Sequence, residues 1–313
     1  MAAKGEADDL LQVAWLYHVG HLSQEEVSRR LGMSRFKVLR LLAEARERGF
    51  VRVSIEHATS PALALADELT RRFDLVEAQV APLPEGAGDD HARRAVGIVA
   101  AGLLARLGSG EPRTIGLGWG RTVAAMAEAL AGLRNPGLRF VSLMGTMTRV
   151  SGTGPFDVTT RLAALTGGTA LVLPAPFLCD SEADARVLLR QRLVRETLEV
   201  ARGADHAIIS LGECTPDALL FTSGVLTAKD AEALLRTGAV ADTTGKFLRD
   251  DGSLADTDLN RRAPSVALED LRATDVTLLA AGAGKARATL AVLRTGLVDR
   301  LVADEQLARA LLA

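Results

Sequence analysis

The chain has 313 residues, a formal net charge of −2, 48% hydrophobic residues and only 4% aromatic ones. That length accommodates one large and one small domain, and an alanine-, leucine- and valine-rich composition suits helices on a largely parallel sheet better than an aromatic-rich all-β sandwich. No apolar run reaches the ~20 residues of a membrane span, the stretch "MAAKGEADDLLQ" has no signal-peptide core, and Cys179 and Cys214 lie far apart without C-x-x-C spacing, so a membrane protein, a zinc site and a disulfide framework are disfavoured and a cytoplasmic protein is expected.

Asp8 to Val19, "DDLLQVAWLYHV", carries apolar residues at Leu10, Leu11, Ala14, Trp15 and Val19, a helical stripe that ends at Gly20. Ser23 followed by Glu26 spells a capping box and starts a second helix running through Leu31. Gly32 supplies a left-handed turn, and Ser34 caps a third helix, "RFKVLRLLAEARERG". Val38, Leu41, Leu42 and Ala45 share one face and are expected to pack on the first helix. Ser34, Arg35, Lys37 and Arg40 fall elsewhere, in the N-terminal half that a helix-turn-helix lays in the major groove. Arginine there can pair bidentately with guanine, whereas lysine more often holds phosphates. "FVRVSIEH" then alternates like a short strand, a candidate wing.

Charge supports this reading. Residues 23–55 hold eight Lys/Arg against four Asp/Glu, a local +4 that leaves −6 on the remainder. A basic module on an acidic body is the asymmetry of a DNA-binding head. The bland alternative is an amphipathic bundle with a charged, solvated face. A domain boundary is placed near residue 58, where Ser60 and Pro61 open the next helix.

Beyond the boundary, the segments "VEAQVAP", "TIGLGWG", "RFVSLMG", "TALVLPAP", "HAIISLGE", "VTLLAAG" and "DRLVADE" read as strands, most of them separated by helical patterns. Such apolar strands indicate a parallel sheet covered on both faces, a Rossmann-like α/β architecture whose ligands sit beyond the carboxyl ends of the strands. The residues there are Gly118, Trp119 and Gly120, then Gly145, Thr146, Thr148 and Arg149, then Glu213 and Cys214, Asp242, and Lys285 within "AGAGKAR". Glycines admit backbone N–H groups to an anion, hydroxyls and cations complete a phosphate cradle, and an aspartate suits sugar hydroxyls. Each also has an ordinary explanation as a turn glycine, a cap or a surface cation. His206 reads as structural, inside a strand. "GLGWG" is not G-x-G-x-x-G, and Leu279 and Ala286 break a Walker A pattern, so no dinucleotide or nucleotide cofactor and no metal is expected.

"LSQEEVSRRLGMSRFKVLRLLAEARERGFVRVSI", "GLGWGRT", "GAVADTTGKFLRDDG" and "AGAGKARATLAVLRTGLVDRLVADEQLARALL", in that order, resemble bacterial transcriptional regulators of the SorC family, often grouped with DeoR-type sugar regulators. The resemblance implies a winged helix-turn-helix domain over 1–57 that binds operator DNA. It also implies an effector-binding and oligomerisation domain over 58–313, similar in fold to sugar-phosphate isomerases and deaminases. The expected partners are double-stranded operator DNA, a sugar, polyol or sugar-phosphate effector, and copies of the chain in a tetramer. The phosphate or polyol end of the effector is expected against Gly145, Thr146 and Lys285, with Asp242 at the hydroxyls. Two departures from the family pattern stand out: Thr146 replaces a second glycine, and "LGEC" replaces a Gly-Ile-Gly-like segment. The rival reading is a sugar-phosphate isomerase or deaminase carrying a DNA-binding head, with Glu213, Asp242 and Lys285 as its acid–base groups.

Overall fold

Ser23 and Glu26 fix the start of the second helix reciprocally: the Ser23 hydroxyl accepts from the Glu26 N–H, and the Glu26 carboxylate accepts from the Ser23 N–H at 2.8 Å. The helix stops at Gly32, whose φ of 62° is left-handed, and Ser34 caps the next helix by accepting from the Lys37 N–H at 3.2 Å. These elements belong to a computed structural model that describes residues 2–20, 22–51, 61–84, 86–147 and 155–313. The chain divides into two compact units, Met1–His57 and Ala58–Ala313.

The first unit contains α1 (Ala2–His18), α2 (Gln24–Leu31) and α3 (Arg35–Glu47) around a small core of Leu10, Val13, Ala14, Val27, Val38, Leu41, Leu42 and Ala45. The face of α3 is the expected one. The face of α1 is so only in part: Leu10 and Ala14 of the expected stripe turn inward, joined by Val13 with Tyr17 beside them, while Leu11, Trp15 and Val19 are exposed. Two overlapping i, i+3, i+4 stripes run along this helix, and α3 packs on the one that contains Val13. Of the candidate wing, residues 52–57 lie outside the described residues, as does the Ser60 cap.

In the second unit strands and helices alternate: α4 (Pro61–Arg72), β1 (Glu77–Ala81), α5 (Asp89–Leu107), β2 (Thr114–Leu117), α6 (Arg121–Ala129), β3 (Arg139–Ser142), α7 (Pro155–Thr166) and β4 (Thr169–Leu171). There follow α8 (Glu182–Leu189), α9 (Arg192–Arg202), β5 (His206–Ser210), β6 (Gly212–Glu213), α10 (Leu219–Thr222), α11 (Ala228–Arg236), β7 (Ala239–Thr243), β8 (Lys246–Arg249) and α12 (Leu259–Arg262). The chain closes with β9 (Asp275–Ala280), a 3-10 turn (Ala283–Lys285), α13 (Ala286–Leu293), β10 (Arg300–Asp304) and α14 (Glu305–Leu312).

Seven strands form one parallel sheet in the order β1-β10-β9-β5-β2-β3-β4. Side chains alternate across it. Ala207 and Ile209 enter a core that also includes residues of α4, α9, α13 and α14, whereas Ile208 enters one shared with α5, α6 and α7. Burial on both faces accounts for the nearly continuous apolar strands. A second, antiparallel sheet, β6-β7-β8, adds to the parallel sheet that the sequence predicts. Its hairpin turns at Thr244 and Gly245, with φ of 49° and 74°, the two positive values of a type I′ turn.

Candidate effector cavity

β2 and β5 are neighbours in the sheet, yet the chain runs from β2 outward to β3 and β4 and from β5 the other way to β9 and β10. This reversal opens a crevice beyond the carboxyl ends of the two strands, the place where open α/β sheets bind ligands. A cavity of about 60 Å³ lies there, lined by Trp119, Gly120 and Arg121 after β2, by Ser210, Gly212 and Glu213 around β5 and β6, and by Asp242, Thr244 and Lys285. That volume accepts a few hydroxyl-sized groups. Ala218, Leu219 and Leu220, at the start of α10, line it as well.

Two glycines make the arrangement possible. Gly120 has a φ of 137°, and a Cβ there would stand 2.4 Å from Ser210 Oγ, which donates to the Trp119 carbonyl at 2.7 Å. As the N-cap of α6, Gly120 offers no side-chain acceptor, so the leading N–H groups of that helix keep their partial positive charge beside the cavity. Gly212 pairs directly with Asp242 across β6 and β7, and a Cβ there would stand 2.1 Å from Asp242 Oδ1.

The electrostatics are unusual. Asp242 is 4% exposed, and burial pushes its carboxyl up to about 6, with Lys285 opposing the rise. Burial lowers the Lys285 ammonium from its ordinary value; Glu213 and Asp242 work against that, and Arg121 reinforces it. Lys285 Nζ donates to the Leu211 carbonyl at 3.2 Å. Among the described residues the Asp242 carboxylate accepts no hydrogen bond and forms no direct ion pair with Lys285. A buried carboxylate and a partly buried ammonium thus face one cavity and attract each other without a direct ion pair. Buried polar groups are normally satisfied, and departures concentrate at functional sites.

Of the residues singled out in the sequence, Trp119, Gly120, Glu213, Asp242 and Lys285 come together here. Gly118 does not line the cavity; its N–H donates to the Ile208 carbonyl at 2.9 Å, and the absence of a Cβ lets Ile209 lie alongside. Gly145 and Thr146 require a correction. The Gly145 N–H donates to the Pro264 carbonyl at 3.0 Å and the Thr146 N–H to the Ala175 carbonyl at 2.9 Å, so neither is free to cradle an anion. Gly145 is a glycine because a Cβ would meet the Pro176 carbonyl at 2.1 Å. Thr148 and Arg149 lie outside the described residues. Ser210, Gly212 and Thr244 are the site residues that the sequence reading missed. A polar Ser210 closing the apolar strand "HAIIS" was the available signal for one of them.

Other titratable groups serve the fold. His206 is buried at the opposite end of β5, 2.8 Å from Thr277 Oγ1, and burial holds its pKa below the usual value. Cys214 is buried in an apolar cluster with Phe177 and Leu220, and burial raises its thiol. Among the described residues no group of three His, Cys, Asp or Glu side chains is placed to hold a metal ion, and no helix is long and apolar enough to cross a membrane.

Residues 58–313 match the Sugar-bind family, described as "Putative sugar-binding domain". Over 310 residues the chain is 33% identical to the erythritol catabolism regulatory protein EryD of Brucella abortus, covering 98% of both chains. The chain belongs to the SorC family of sugar-binding transcriptional regulators. Another relative of this SorC-family protein is the transcriptional regulator LsrR of Klebsiella pneumoniae subsp. pneumoniae, 30% identical over 99% of this chain and 94% of the relative. Among solved structures, the full-length sorbitol operon regulator SorC of Klebsiella pneumoniae shares its fold, with a TM-score of 0.80 at 24% identity over 97% of this chain and 98% of that one. A sugar-binding domain of a transcriptional repressor from Vibrio fischeri aligns at a TM-score of 0.72 and 29% identity, covering 80% of this chain and 98% of that one.

In the first unit of this SorC-family protein, Arg35 and Arg40 are exposed on α3. Ser34 is occupied as the cap of that helix. Lys37 differs from its expected role as a free cation, because its ammonium reaches back to Asp9 of α1 at 2.8 Å.

Proposed function

We propose that this SorC-family protein is a cytoplasmic regulator of a carbohydrate or polyol catabolic operon, whose grip on operator DNA is set by a sugar, polyol or sugar phosphate held in the cavity. Residues 1–57 serve as the winged helix-turn-helix head and residues 58–313 as the effector-binding and oligomerisation domain of a homotetramer. The observation that carries the effector assignment is the buried Asp242 carboxylate, which accepts no hydrogen bond among the described residues and faces the partly buried Lys285 ammonium at the strand switch point. A polyhydroxylated ligand suits both: vicinal hydroxyls donate to Asp242, and oxygen atoms or an anionic end accept from Lys285 and the start of α6. The name of one relative, an erythritol catabolism regulatory protein, supports the same chemical class.

The mechanism is linkage. The effector prefers one arrangement of the subunits, and that arrangement holds the heads at a different spacing. Driving such an equilibrium from 1:99 to 99:1 takes ~5.5 kcal/mol of differential binding, so several cavity contacts must differ between the two states. The rival enzymatic reading draws on the same Asp242, since a carboxylate titrating near 6 is suited to general base work. The relatives' roles as regulators favour a sensor that returns its ligand unchanged. Thermal-shift screening against pentoses, hexoses, polyols and their phosphates identifies the effector class, because a ligand of the folded state raises its stability. NMR of the best ligand after hours with the protein then separates sensor from enzyme: an unchanged spectrum is expected, and turnover abolished in Asp242→Asn would establish the enzyme.

A further inference from the structure

The outward face of α3 is not the purely polar surface expected of a solvated helix. Phe36 is 86% exposed, the highest value among the exposed large hydrophobic side chains of the described residues. Leu39, 42% exposed, and Ala43 follow it at i+3 and i+7, with Arg40 between them at i+4. These four positions form one stripe opposite the buried Val38, Leu41, Leu42 and Ala45. Isolated exposed apolar residues need no explanation, but a stripe of them centred on the N-terminal half of one helix does.

The charges around the stripe indicate what covers it. Arg35, Lys37 and Arg40 are the charged residues of that half of α3, which holds no acid; Lys37 is tied to Asp9, leaving Arg35 and Arg40 free in the described contacts. Arg29 and Arg30 are exposed at the end of α2, the preceding helix. A second copy of the same face would bring like charges together. A surface that is anionic at its rim and carries apolar groups on its floor matches instead, and the major groove is such a surface: phosphates line it, and thymine 5-methyl groups project into it. We infer that Phe36, supported by Leu39, reads thymine methyl groups in the operator, with Arg35 and Arg40 supplying the guanine and phosphate contacts beside it. This rests on the DNA-binding reading above. It makes Phe36 a specificity-determining residue that no polar-contact search would find, because it offers no hydrogen bond.

The test uses the full chain to select sequences from a random duplex pool. The enriched duplex is then synthesised with uracil replacing each thymine in turn, a change that deletes the 5-methyl group. Wild type is expected to lose about four-fold in affinity per methyl contacted, at one or two thymines per half-site. Phe36→Ala should bind the thymine duplex correspondingly less tightly and be indifferent to uracil at those positions, with an unchanged melting temperature, since its side chain is exposed. A wild type that selects a sequence yet is indifferent to every uracil replacement, or a Phe36→Ala protein that binds as wild type does, overturns the methyl-readout inference alone. Failure of the full chain to enrich any sequence overturns the DNA-binding reading beneath it.

Discussion

Replacing Asp242 by asparagine should stabilise the ligand-free protein. The carboxylate is nearly fully buried, accepts no hydrogen bond among the described residues, and titrates at about 6 rather than at 3.8. The folded state therefore holds the proton more tightly than the unfolded chain does. Stability falls as pH rises from the unfolded value through about 6, and the whole penalty is present above it. A rise of about two pH units in the midpoint corresponds to about 3 kcal/mol. Asparagine is nearly isosteric beside Gly212 and removes that penalty, while Lys285 loses an attractive neighbour and takes some of the gain back. We expect a net gain of about 1–3 kcal/mol at pH 8, read as about 3–10 °C in melting temperature for a domain of this size. At pH 4 the wild-type carboxyl is protonated and the difference should shrink below about 1 kcal/mol. The assay is a pair of melting curves at each pH. An Asp242→Asn protein destabilised equally at pH 4 and pH 8 would show instead that the carboxylate is structural.

A ligand that donates hydroxyls to Asp242 needs its ionised form, so effector affinity measured by calorimetry should be flat above pH 6 and fall by up to about ten-fold per unit below it; an affinity that rises on acidification contradicts this. In the head, Arg35→Ala should relax one operator position by about 1–3 kcal/mol in competition binding, whereas Lys37→Ala should leave base preference unchanged and alter stability by no more than about 1 kcal/mol, because its partner is the half-exposed Asp9.

How much of this was legible beforehand depended on range. Local signals carried well: Ser23 with Glu26, Gly32 and Ser34 punctuate the helices as their side-chain chemistry dictates. Strands buried on both faces stood out as apolar runs. On α1 the sequence points correctly to Leu10 and Ala14, but Leu11, Trp15 and Val19 keep helical spacing as regularly as the buried set, and only the approach of α3 chooses between them. The hairpin of β7 and β8 went unread although Thr244-Gly245 is a type I′ pair flanked by short alternating runs. Asp242 and Lys285 were found by residue type and position at strand ends. Gly145 was drawn into the cradle for the same reason, and its actual constraint, a carbonyl of a loop 31 residues further along the chain, leaves no mark in the local sequence. Gly212 illustrates the same limit, since its lack of a side chain matters only because Asp242 pairs opposite it.

If the cavity senses a ligand on behalf of the head, Lys285 is the residue at which sensing and DNA binding separate. Its ammonium lies in the second unit, far along the chain from α3, and a lost charge-assisted bond is worth about 1.5–3 kcal/mol. A ligand identified by thermal shift is titrated into a fluorescent operator complex of wild type and of Lys285→Ala, beside melting curves of both proteins. Operator affinity without ligand should be equal in the two proteins, and the response midpoint of the variant should rise about ten-fold or more. A stable Lys285→Ala protein with an unchanged midpoint would contradict sensing through the cavity.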